Sequence, residues 1–320
     1  MAASIYFLGV DGGQSSTTAL IGDGAGRILG SGRAGPCNHV RSGDGRTKFI
    51  RALTGSLEAA CRKAGLAPSE LEFEAACLGF SGGPEDKREL VGELIKARRT
   101  VVTTDAEIAL SGATGGRPGI ITMAGTGSIA FGRNAGGRTA RAGGWGYLFG
   151  DEGGAFDLVR QALRAMLRWE EGWGPPTSLT RKLLEHTGAR TANELLHLFY
   201  TRDYPRDRIA TLATIVDEAA LEGDEVARRI VDNAAQQLAT ITTAVREQLF
   251  EEGEPVLVSY AGGVFRNTLL LERFIALVER FVDCRCAAPL YKPSAGALIE
   301  AWRAAGLSLL PVGGPFPRAE

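Results

Sequence analysis

Apolar and polar positions in the first third of the chain predict three strands followed by alternating helices and strands. Apolar runs separated by glycine-rich turns predict strands at residues 4–11, 16–22 and 26–33. After them, apolar residues recur at helical spacing over 46–64, which predicts a helix. The pattern then predicts a strand at 74–79, a helix at 84–97, a strand at 100–103 and a helix at 105–112.

The second half of the chain repeats this order of elements and adds a long helical region. Its predicted strands are 119–123, 129–133, 138–142, 255–260 and 282–287. Between the third and the fourth of these strands, residues 152–250 are rich in helical periodicity and include a long helix at 224–250. The last predicted helices are 266–281 and 293–305, and Pro293 suits the first turn of the latter.

A repeated plan in a chain of 320 residues predicts two domains. We expect the first domain to span residues 1–115 and the second residues 116–320, with the helical insertion at 152–250. The closing helix at 293–305 is a candidate for packing on the first domain. A cleft between two domains is the default place for a ligand.

Charge and cysteine content narrow the class of protein. The chain carries 36 basic and 37 acidic residues, a net charge of −1, so we expect neither a nucleic-acid partner nor an anionic membrane surface. It shows no segment typical of an export signal and no apolar run of about 18 to 20 residues, which predicts a cytoplasmic protein. Its five cysteines form no Cys-x-x-Cys pair, and we expect free thiols and no structural metal.

Two glycine-rich turns, each between two predicted strands, are the clearest candidates for ligand binding. The first runs from Asp11 to Thr17 and the second from Ala124 to Ser128. Glycines at such a bend expose backbone N–H groups, which can hold phosphate oxygens. Each turn by itself is also compatible with an ordinary hairpin. Two of them facing each other would grip one polyphosphate, and because each opens into a strand, neither is a Walker-type loop.

The duplicated plan with its two glycine turns resembles the actin, hexokinase and Hsp70 ATPase superfamily. Within it, four segments resemble the BadF/BadG/BcrA/BcrD-type ATPases, a group that includes N-acetylglucosamine kinases and glucosamine kinases. These segments are Asp11-Gly12-Gly13, Ala124-Gly125-Thr126-Gly127-Ser128, Gly143-Gly144-Trp145-Gly146 and Gly150-Asp151-Glu152-Gly153. The resemblance implies an α/β fold of two ribonuclease H-like (actin-like ATPase) domains with a central cleft and a helical insertion in the second.

The resemblance also implies how ATP and Mg²⁺ are held. Phosphate contacts in the two glycine turns are assigned to Gly12, Gly13, Thr17, Gly125, Thr126 and Gly127. Asp11 would hold hydrated Mg²⁺ through water. The adenosine would lie along Gly262, Gly263 and Asn267. Relatives often carry a lysine in the first turn, whereas this chain reads Gln14-Ser15-Ser16-Thr17, so backbone donors and Mg²⁺ would carry the phosphate charge.

Two aspartates are the candidates for the chemistry at the acceptor. Asp105 follows the predicted strand 100–103 and, by the resemblance, is the catalytic base that takes the proton of a sugar hydroxyl. By its position alone it is also a typical helix-start residue. Asp151, by the resemblance, accepts hydrogen bonds from sugar hydroxyls, and by its position alone it would be the N-cap of the following helix.

The remaining sugar contacts are expected in loops. By the resemblance, substrate binding is assigned to Asn38, Ser81, Gly82, Trp145 and Gly146, alongside the two aspartates. Without the resemblance, Asn38 is a typical turn residue. A tryptophan such as Trp145 is as well suited to a buried core as to the face of a sugar.

Together these residues predict an ATP-dependent amino-sugar kinase that phosphorylates N-acetylglucosamine at its 6-hydroxyl. Glucosamine kinase is the nearest alternative, and N-acetylmuramic acid or glucose are further candidate acceptors. A different class of function is an activator ATPase of the 2-hydroxyacyl-CoA dehydratase type, which binds an iron–sulfur cluster between subunits through cysteines. The cysteines of this chain stand in no evident cluster loop. The sequence leaves the oligomeric state open, a homodimer included.

Overall fold

Two five-stranded sheets organise the chain. The computed structural model of the protein describes residues 5–37, 40, 43–68 and 71–312. Unit 1 holds the described residues up to Gly119 and those from Ala288 onward, and unit 2 comprises Ile120–Ala287. The two sheets confirm the mixed α/β class predicted from the sequence.

The sheet of unit 1 begins with an antiparallel meander. Strands β1 (Tyr6–Gly12), β2 (Thr17–Asp23) and β3 (Ile28–Ala34) pair in succession, as the apolar runs predict. On the other side of β1 lie β4 (Phe73–Phe80) and β5 (Ala97–Thr104), which run parallel to it in the order β3-β2-β1-β4-β5. The carboxyl ends of the three parallel strands therefore meet at one edge of the sheet, where ligands of such sheets bind.

Helix α1 (Gly45–Ala64) packs closely on β2 and β3. Gly30 and Gly32 of β3 face its backbone, and a Cβ atom on either glycine would collide with a main-chain carbonyl of α1. Phe49 and Leu53 of α1 are fully buried in the core below. The next helices of this unit are α2 (Arg88–Leu94) and α3 (Asp105–Thr114).

Helix α2 is shorter than the helix predicted at 84–97. Residues 84–87 form turns instead, and β5 begins at Ala97. The basic side chains near that position form contacts between neighbouring strands: Arg98 and Arg99 both lie within ion-pair distance of Glu74 on β4. This part of the prediction was wrong since cross-strand pairing outweighs the favourable placement of cations at a helix end.

The closing helix of the chain lies in unit 1. This helix, Pro293–Ala304, packs against β1 and α3, where glycines allow the backbones to approach. A Cβ atom on Gly9 of β1 would collide with the backbone of Leu298, and one on Gly296 would collide with the backbone of α3 at Gly112. The domain predicted over 116–320 therefore differs from unit 2 in its last helix.

The sheet of unit 2 repeats that of unit 1. Its strands are β6 (Gly119–Ala124), β7 (Ser128–Arg133), β8 (Thr139–Gly143), β9 (Val256–Ala261) and β10 (Cys284–Ala287). They are arranged in the order β10-β9-β6-β7-β8, with β9 parallel to β6 and β10 and with β7 antiparallel to β8. Since unit 1 has the corresponding order, the repetition read from the sequence is confirmed.

The helical insertion of unit 2 contains six helices between β8 and β9. They are α4 (Ala155–Glu170), α5 (Leu179–Thr187), α6 (Ala192–Phe199), α7 (Arg206–Thr211), α8 (Ala213–Leu221) and α9 (Glu225–Leu249). Their buried apolar residues join those of β6 and β9 in one core. After β9, a 3₁₀ turn at Gly263–Arg266 precedes α10 (Thr268–Val278), and the closing helix described above is α11. The helix predicted at 266–281 is thus shorter and begins with a turn.

The structure also bears on the cysteines and on the apolar character of the helices. The five cysteines are all free thiols, as expected from their spacing. Over the described residues, no helix combines the length and the apolar character that a membrane crossing needs.

Asp224 joins the start of α9 to the start of α5. Its Oδ1 accepts a hydrogen bond from the Ala227 amide at 2.9 Å, which caps α9. Its Oδ2 accepts from the Ser178 amide at 2.6 Å and from the hydroxyls of Ser178 at 2.8 Å and Thr177 at 3.0 Å. Burial alone would raise the pKa of Asp224, but these hydrogen bonds outweigh it and hold the pKa below its usual value.

Replacement of Asp224 by Asn is expected to destabilise unit 2 in a pH-dependent way. The loss of charged acceptor contacts and of a helix cap is expected to cost about 2 kcal/mol of unfolding free energy at pH 7. Because the native-state pKa is lowered, this contribution is complete above the unfolded pKa of about 3.9 and is lost as the pH falls through the native-state pKa. Urea unfolding at pH 7 and near pH 3 measures it. Glu225→Gln, an exposed neighbour, is the control, and an equal effect of both variants would contradict the prediction.

Candidate functional site

The register of the parallel strands of unit 1 places Asp11, Ser81 and Asp105 at the same sheet edge. Asp11 on β1 stands opposite Gly79 on β4, and Gly79 stands opposite Thr103 on β5. Ser81 follows β4 directly, and Asp105 follows β5 directly. The structure thus brings together three predicted site residues that are distant in sequence.

Asp105 is the first residue of α3 and is held from two sides. Its Oδ1 accepts from the Ala106 amide at 2.9 Å, and its Oδ2 accepts from the Ser81 hydroxyl at 2.6 Å. The N-cap of α3 is Thr104, whose hydroxyl accepts from the Glu107 amide. Asp105 is therefore not needed as the cap, although the helix dipole favours its charge. Its carboxylate is only partly buried, which leaves it accessible to a ligand.

Asp11 experiences the negative charge of Asp105. Burial, and after it the nearby charge of Asp105, together raise the pKa of Asp11 to about 7. No ion-pair partner of either carboxylate lies among the described residues. A bound cation would relieve this repulsion and favour the charged form of Asp11.

The acidic residues of this edge fit only one mode of metal binding. In the described part of the chain, no group of three or more His, Cys, Asp or Glu side chains could hold a metal ion. Mg²⁺ in phosphoryl-transfer enzymes is commonly bound through one or two carboxylates, water and the substrate phosphates. The position and charge environment of Asp11 fit this mode, in which the nucleotide supplies the missing ligands.

The first glycine turn is a tight hairpin between β1 and β2. The Gly13 amide donates to the Ser16 carbonyl at 3.0 Å, and the Gly13 carbonyl accepts from the Cys37 amide at 3.1 Å. Gly12 lies so close to the ring of Phe80 that a Cβ atom would collide with it. The turn therefore keeps its shape through backbone bonds and through a close contact that only glycine permits.

The hydroxyl groups of this turn differ in accessibility. Ser15 is exposed and Ser16 is partly exposed, whereas Thr17 is fully buried and its hydroxyl donates to the Gly35 carbonyl at 2.8 Å. A phosphate contact of the Thr17 hydroxyl would break this hydrogen bond. Ser15 and Ser16, to which the sequence-based assignment gave no role, present the accessible hydroxyls. Asn38 lies outside the described residues.

The loop that follows β4 is fixed by a buried lysine. Lys87, with 2% of its side chain exposed, donates from Nζ to the Gly83 carbonyl at 2.9 Å and to the Asp86 carboxylate at 2.7 Å. Lysines are rarely buried without such partners. Ser81 and Gly82 begin this loop, so Lys87 supports two predicted sugar contacts. Sequence reasoning missed Lys87 because no local pattern distinguishes a buried lysine from a solvated one.

The second glycine turn, between β6 and β7, is joined to the start of α4. The Gly125 amide donates to the Gly127 carbonyl at 3.0 Å. The Ala155 and Phe156 amides of α4 donate to the carbonyls of Gly125 and Thr126 at 2.8 and 3.1 Å. These helix amides are thus engaged by the turn, and phosphate binding in this unit would have to use the turn itself. Apart from Gly125 and its two chain neighbours, no described residue has an atom within 4 Å of the place where a Cβ atom of Gly125 would stand, so a ligand can approach the backbone there.

Asp151 has an unusual backbone conformation. Its φ of +64° is the only positive φ of a non-glycine residue in the described part of the chain. Such conformations are uncommon, and Asp and Asn adopt them more readily than most residues. The side chain is buried, with 6% of the residue exposed, and its carboxylate lies directly against Gly127. A strained conformation that persists in a native structure is a reason to look for a function at that residue.

The N-cap predicted for Asp151 is wrong. Helix α4 begins at Ala155 with Gly154 in the cap position. The Asp151 side chain instead forms an ion pair with Arg206 of α7, with Nη2 and Oδ2 2.6 Å apart. Sequence reasoning missed Arg206 because the pair spans 55 residues and no motif marks the arginine.

Trp145 lies on the surface rather than in the core. It is 65% exposed, and the guanidinium of Arg141 stacks over its ring at 4.7 Å. Gly146 follows it at the start of a turn that exposes Tyr147 and Phe149 as well. The buried core position, which was the alternative prediction for Trp145, is therefore wrong. The ring of Trp145 is available to a ligand.

The segment after β9 approaches the second glycine turn. Gly262 has a φ of +110°, and a Cβ atom there would collide with the Ala124 carbonyl, so both conformation and packing require glycine. Gly263 faces open space. Asn267 is the N-cap of α10: its Oδ1 accepts from the Leu270 amide at 3.0 Å, and its Nδ2 donates to Asp217 at 2.6 Å. A nucleotide contact of Asn267 stays a prediction. The side-chain amide of Asn267 has one further donor hydrogen, which such a contact would use.

Comparison with known proteins places this chain in a family. The model of the BadF/BadG/BcrA/BcrD ATPase family matches residues 8–301. The chain belongs to this family. The resemblance carried by the glycine motifs is thereby confirmed, and the two sheets are those of two actin-like ATPase domains.

Two relatives of this chain are sugar kinases by name. The N-acetylmuramic acid/N-acetylglucosamine kinase of Clostridium acetobutylicum is 35% identical over 82% of this chain and 86% of its own length. The N-acetyl-D-glucosamine kinase of Dictyostelium discoideum is 29% identical over 92% of this chain and 97% of its own length. A crystal structure assigned as an N-acetylglucosamine kinase of Chromobacterium violaceum matches with a TM-score of 0.76, 27% identity and coverage of 92% of this chain and 98% of its own.

Replacement of Lys87 by Met is expected to destabilise unit 1. The variant removes two charge-assisted hydrogen bonds and leaves Asp86 to be solvated, which is expected to cost about 2 kcal/mol of unfolding free energy. Urea unfolding measures the change. Lys48→Met, which removes an exposed ion pair with Asp44, is the matched control and is expected to change stability by less than about 0.5 kcal/mol. Similar effects of the two variants would show that Lys87 does not fix its loop.

Proposed function

We propose that this chain is an ATP-dependent kinase of amino sugars that transfers the γ-phosphoryl group of ATP to the 6-hydroxyl of N-acetylglucosamine. The observation that carries the proposal is the carboxylate of Asp105, held by the Ser81 hydroxyl and the Ala106 amide at the sheet edge that also holds Asp11. Membership of an ATPase family and the names of the sugar-kinase relatives support the same reaction.

Asp105 acts as the catalytic base in this proposal. The carboxylate accepts the proton of the sugar 6-hydroxyl while the oxygen of that hydroxyl attacks the γ-phosphorus. One phosphorus–oxygen bond forms to the sugar, the bond to the β-phosphate oxygen breaks, and ADP leaves. The Ser81 hydroxyl bond to Oδ2 and the amide bond to Oδ1 keep the carboxylate oriented, because both donors are fixed to the strand and helix ends.

Asp11 and the glycine turns hold the nucleotide. We assign phosphate contacts to the first glycine turn around Gly12 and Gly13, where the accessible Ser15 and Ser16 hydroxyls lie, while Asp11 holds hydrated Mg²⁺. When bound, Mg²⁺ neutralises the phosphate charge that develops during transfer. In unit 2 the corresponding contacts are assigned to Gly125, Thr126 and Gly127, and the adenosine contacts to Gly262 and Gly263. Thr17 supports the first turn through the hydrogen bond that its hydroxyl donates to the Gly35 carbonyl.

Candidate sugar contacts are assigned within each unit separately. Ser81 and Gly82 in unit 1 and Asp151, Trp145 and Gly146 in unit 2 are the candidates. A carboxylate accepts from sugar hydroxyls, and an exposed tryptophan ring packs on the apolar face of a pyranose. Asn38 keeps its predicted role from the sequence. The homodimer and the cytoplasmic location also stay predictions.

A coupled assay of ADP release identifies the acceptor. We expect N-acetylglucosamine to give the highest kcat/KM among N-acetylglucosamine, glucosamine, N-acetylmuramic acid and glucose, with no ADP release when Mg²⁺ is chelated. Preference for glucosamine or for N-acetylmuramic acid, which the Clostridium relative bears in its name, would correct the acceptor but keep the reaction. ADP release with none of these sugars, together with iron and a cluster absorbance in anaerobically purified protein, would favour the activator ATPase instead.

Replacement of Asp105 by Asn is expected to lower kcat by at least ~10²-fold, as expected for the loss of a general base. The KM for ATP is expected to change little, because the variant preserves the size of the side chain. Steady-state kinetics with both substrates varied measure the two effects. Glu89→Gln, which removes an exposed acid from the first turn of α2, controls for the loss of a helix-dipole interaction. A kcat near that of the unmodified chain would remove Asp105 from its role.

A further inference from the structure

Asp151 requires support from its surroundings to keep its conformation. Its backbone is in the left-handed region, and its carboxylate is buried against Gly127. A short polar side chain reaches this conformation at some cost, and the surrounding structure has to over-determine it. The N-cap interaction that could have fixed the carboxylate is absent at α4. Another group must therefore hold it.

Arg206 binds only one oxygen of Asp151. The Nη2 atom of Arg206 lies 2.6 Å from Oδ2. Among the described residues, Oδ1 of Asp151 has no hydrogen-bond partner. Ion pairs between arginine and carboxylate groups are often bidentate, with two parallel N–H···O bonds. The single bond seen here fixes one oxygen and leaves the other free to accept a hydrogen bond from a ligand.

Aromatic rings fix the orientation of the Arg206 guanidinium. It lies 5.0 Å from the ring of Tyr147 and 5.7 Å from the ring of Phe156, and these two rings pack edge to face at 5.3 Å. The Nε atom of Arg206 is buried without a hydrogen-bond partner. The guanidinium is thus held in a plane that suits the contact with Asp151 rather than its own hydrogen bonding.

We propose that Arg206 is a positioning residue for sugar binding: it holds Oδ2 of Asp151 so that Oδ1 faces a hydroxyl group of the amino sugar. The inference rests on the proposed function. It extends that function by assigning a role to the helical insertion, since Arg206 is the first residue of α7. The sugar hydroxyl donates to Oδ1, and the guanidinium prevents the carboxylate from turning away when the sugar is absent.

Replacement of Arg206 by Gln tests this role. We expect the KM for the sugar to rise by ~10- to 100-fold, because loss of orientation of a contacting group by about 1 Å can cost that much. The KM for ATP is expected to stay within ~2-fold. Arg208→Gln is the matched control, because Arg208 lies on the same helix and stacks on Tyr204 at 4.1 Å without contacting Asp151. We expect its sugar KM to be that of the unmodified chain.

Two further variants separate positioning from a structural role. Arg206→Lys keeps the positive charge but not the planar fork, and we expect it to recover part of the lost sugar affinity. Asp151→Ala raises the sugar KM by itself, and the double variant with Arg206→Gln is expected to raise it no further, because Arg206 acts through Asp151. Circular dichroism and thermal unfolding confirm that each variant is folded.

The outcomes distinguish this inference from the proposed function. If the unmodified chain phosphorylates no sugar, the proposed function fails and the inference fails with it. If the unmodified chain is active and folded Arg206→Gln keeps its sugar KM, only the inference is overturned. An equal rise in the KM for ATP and for sugar, or additive effects of the Arg206 and Asp151 variants, would also overturn it. A selective, non-additive rise in the sugar KM supports it.

Discussion

The proximity of two like charges at one sheet edge is the constraint on which the site of unit 1 depends. β1 and β5 run parallel on either side of β4, so Asp11 and Asp105 reach the same edge. Burial and then the charge of Asp105 raise the pKa of Asp11 to about 7. The rest of the fold must offset the cost of this arrangement. A ligand that brings positive charge, such as a hydrated divalent cation on a polyphosphate, is favoured because it removes the repulsion.

The aspartate of unit 2 stands in the opposite electrostatic environment. Asp151 is paired with a guanidinium, whereas Asp105 has hydroxyl and amide donors but no ion-pair partner in the described part of the chain. Different surroundings give carboxylates different roles in one reaction. The Asp105 carboxylate is oriented by neutral hydroxyl and amide donors, whereas the Asp151 carboxylate is oriented by a charged guanidinium. This difference agrees with the separate roles proposed for the two aspartates.

The sequence was sufficient to predict the plan of the fold and the glycine turns, because both depend on local patterns. Apolar periodicity predicts the meander and the parallel strands, and glycine at a bend predicts the hairpins. It was insufficient where distant contacts decide the local structure. Ala97 joins β5 because Glu74 of β4 binds the neighbouring arginines, Lys87 is buried by its own loop, and Asp151 is held by a residue of α7. These contacts have no signal in the neighbouring sequence.

The helical insertion is part of the site of unit 2 through the packing of its helices. α7 is only six residues long, so its own hydrogen bonds cannot keep it in place. It is held by Ile209, which is buried in the core that α4 shares, and Ala210 of the same helix is also buried. The first amides of α4 in turn donate hydrogen bonds to carbonyls of the second glycine turn. The position of Arg206 is therefore set by the same packing that sets the glycine turn, and a change in the insertion core would alter the orientation of Asp151 without touching any residue that contacts it.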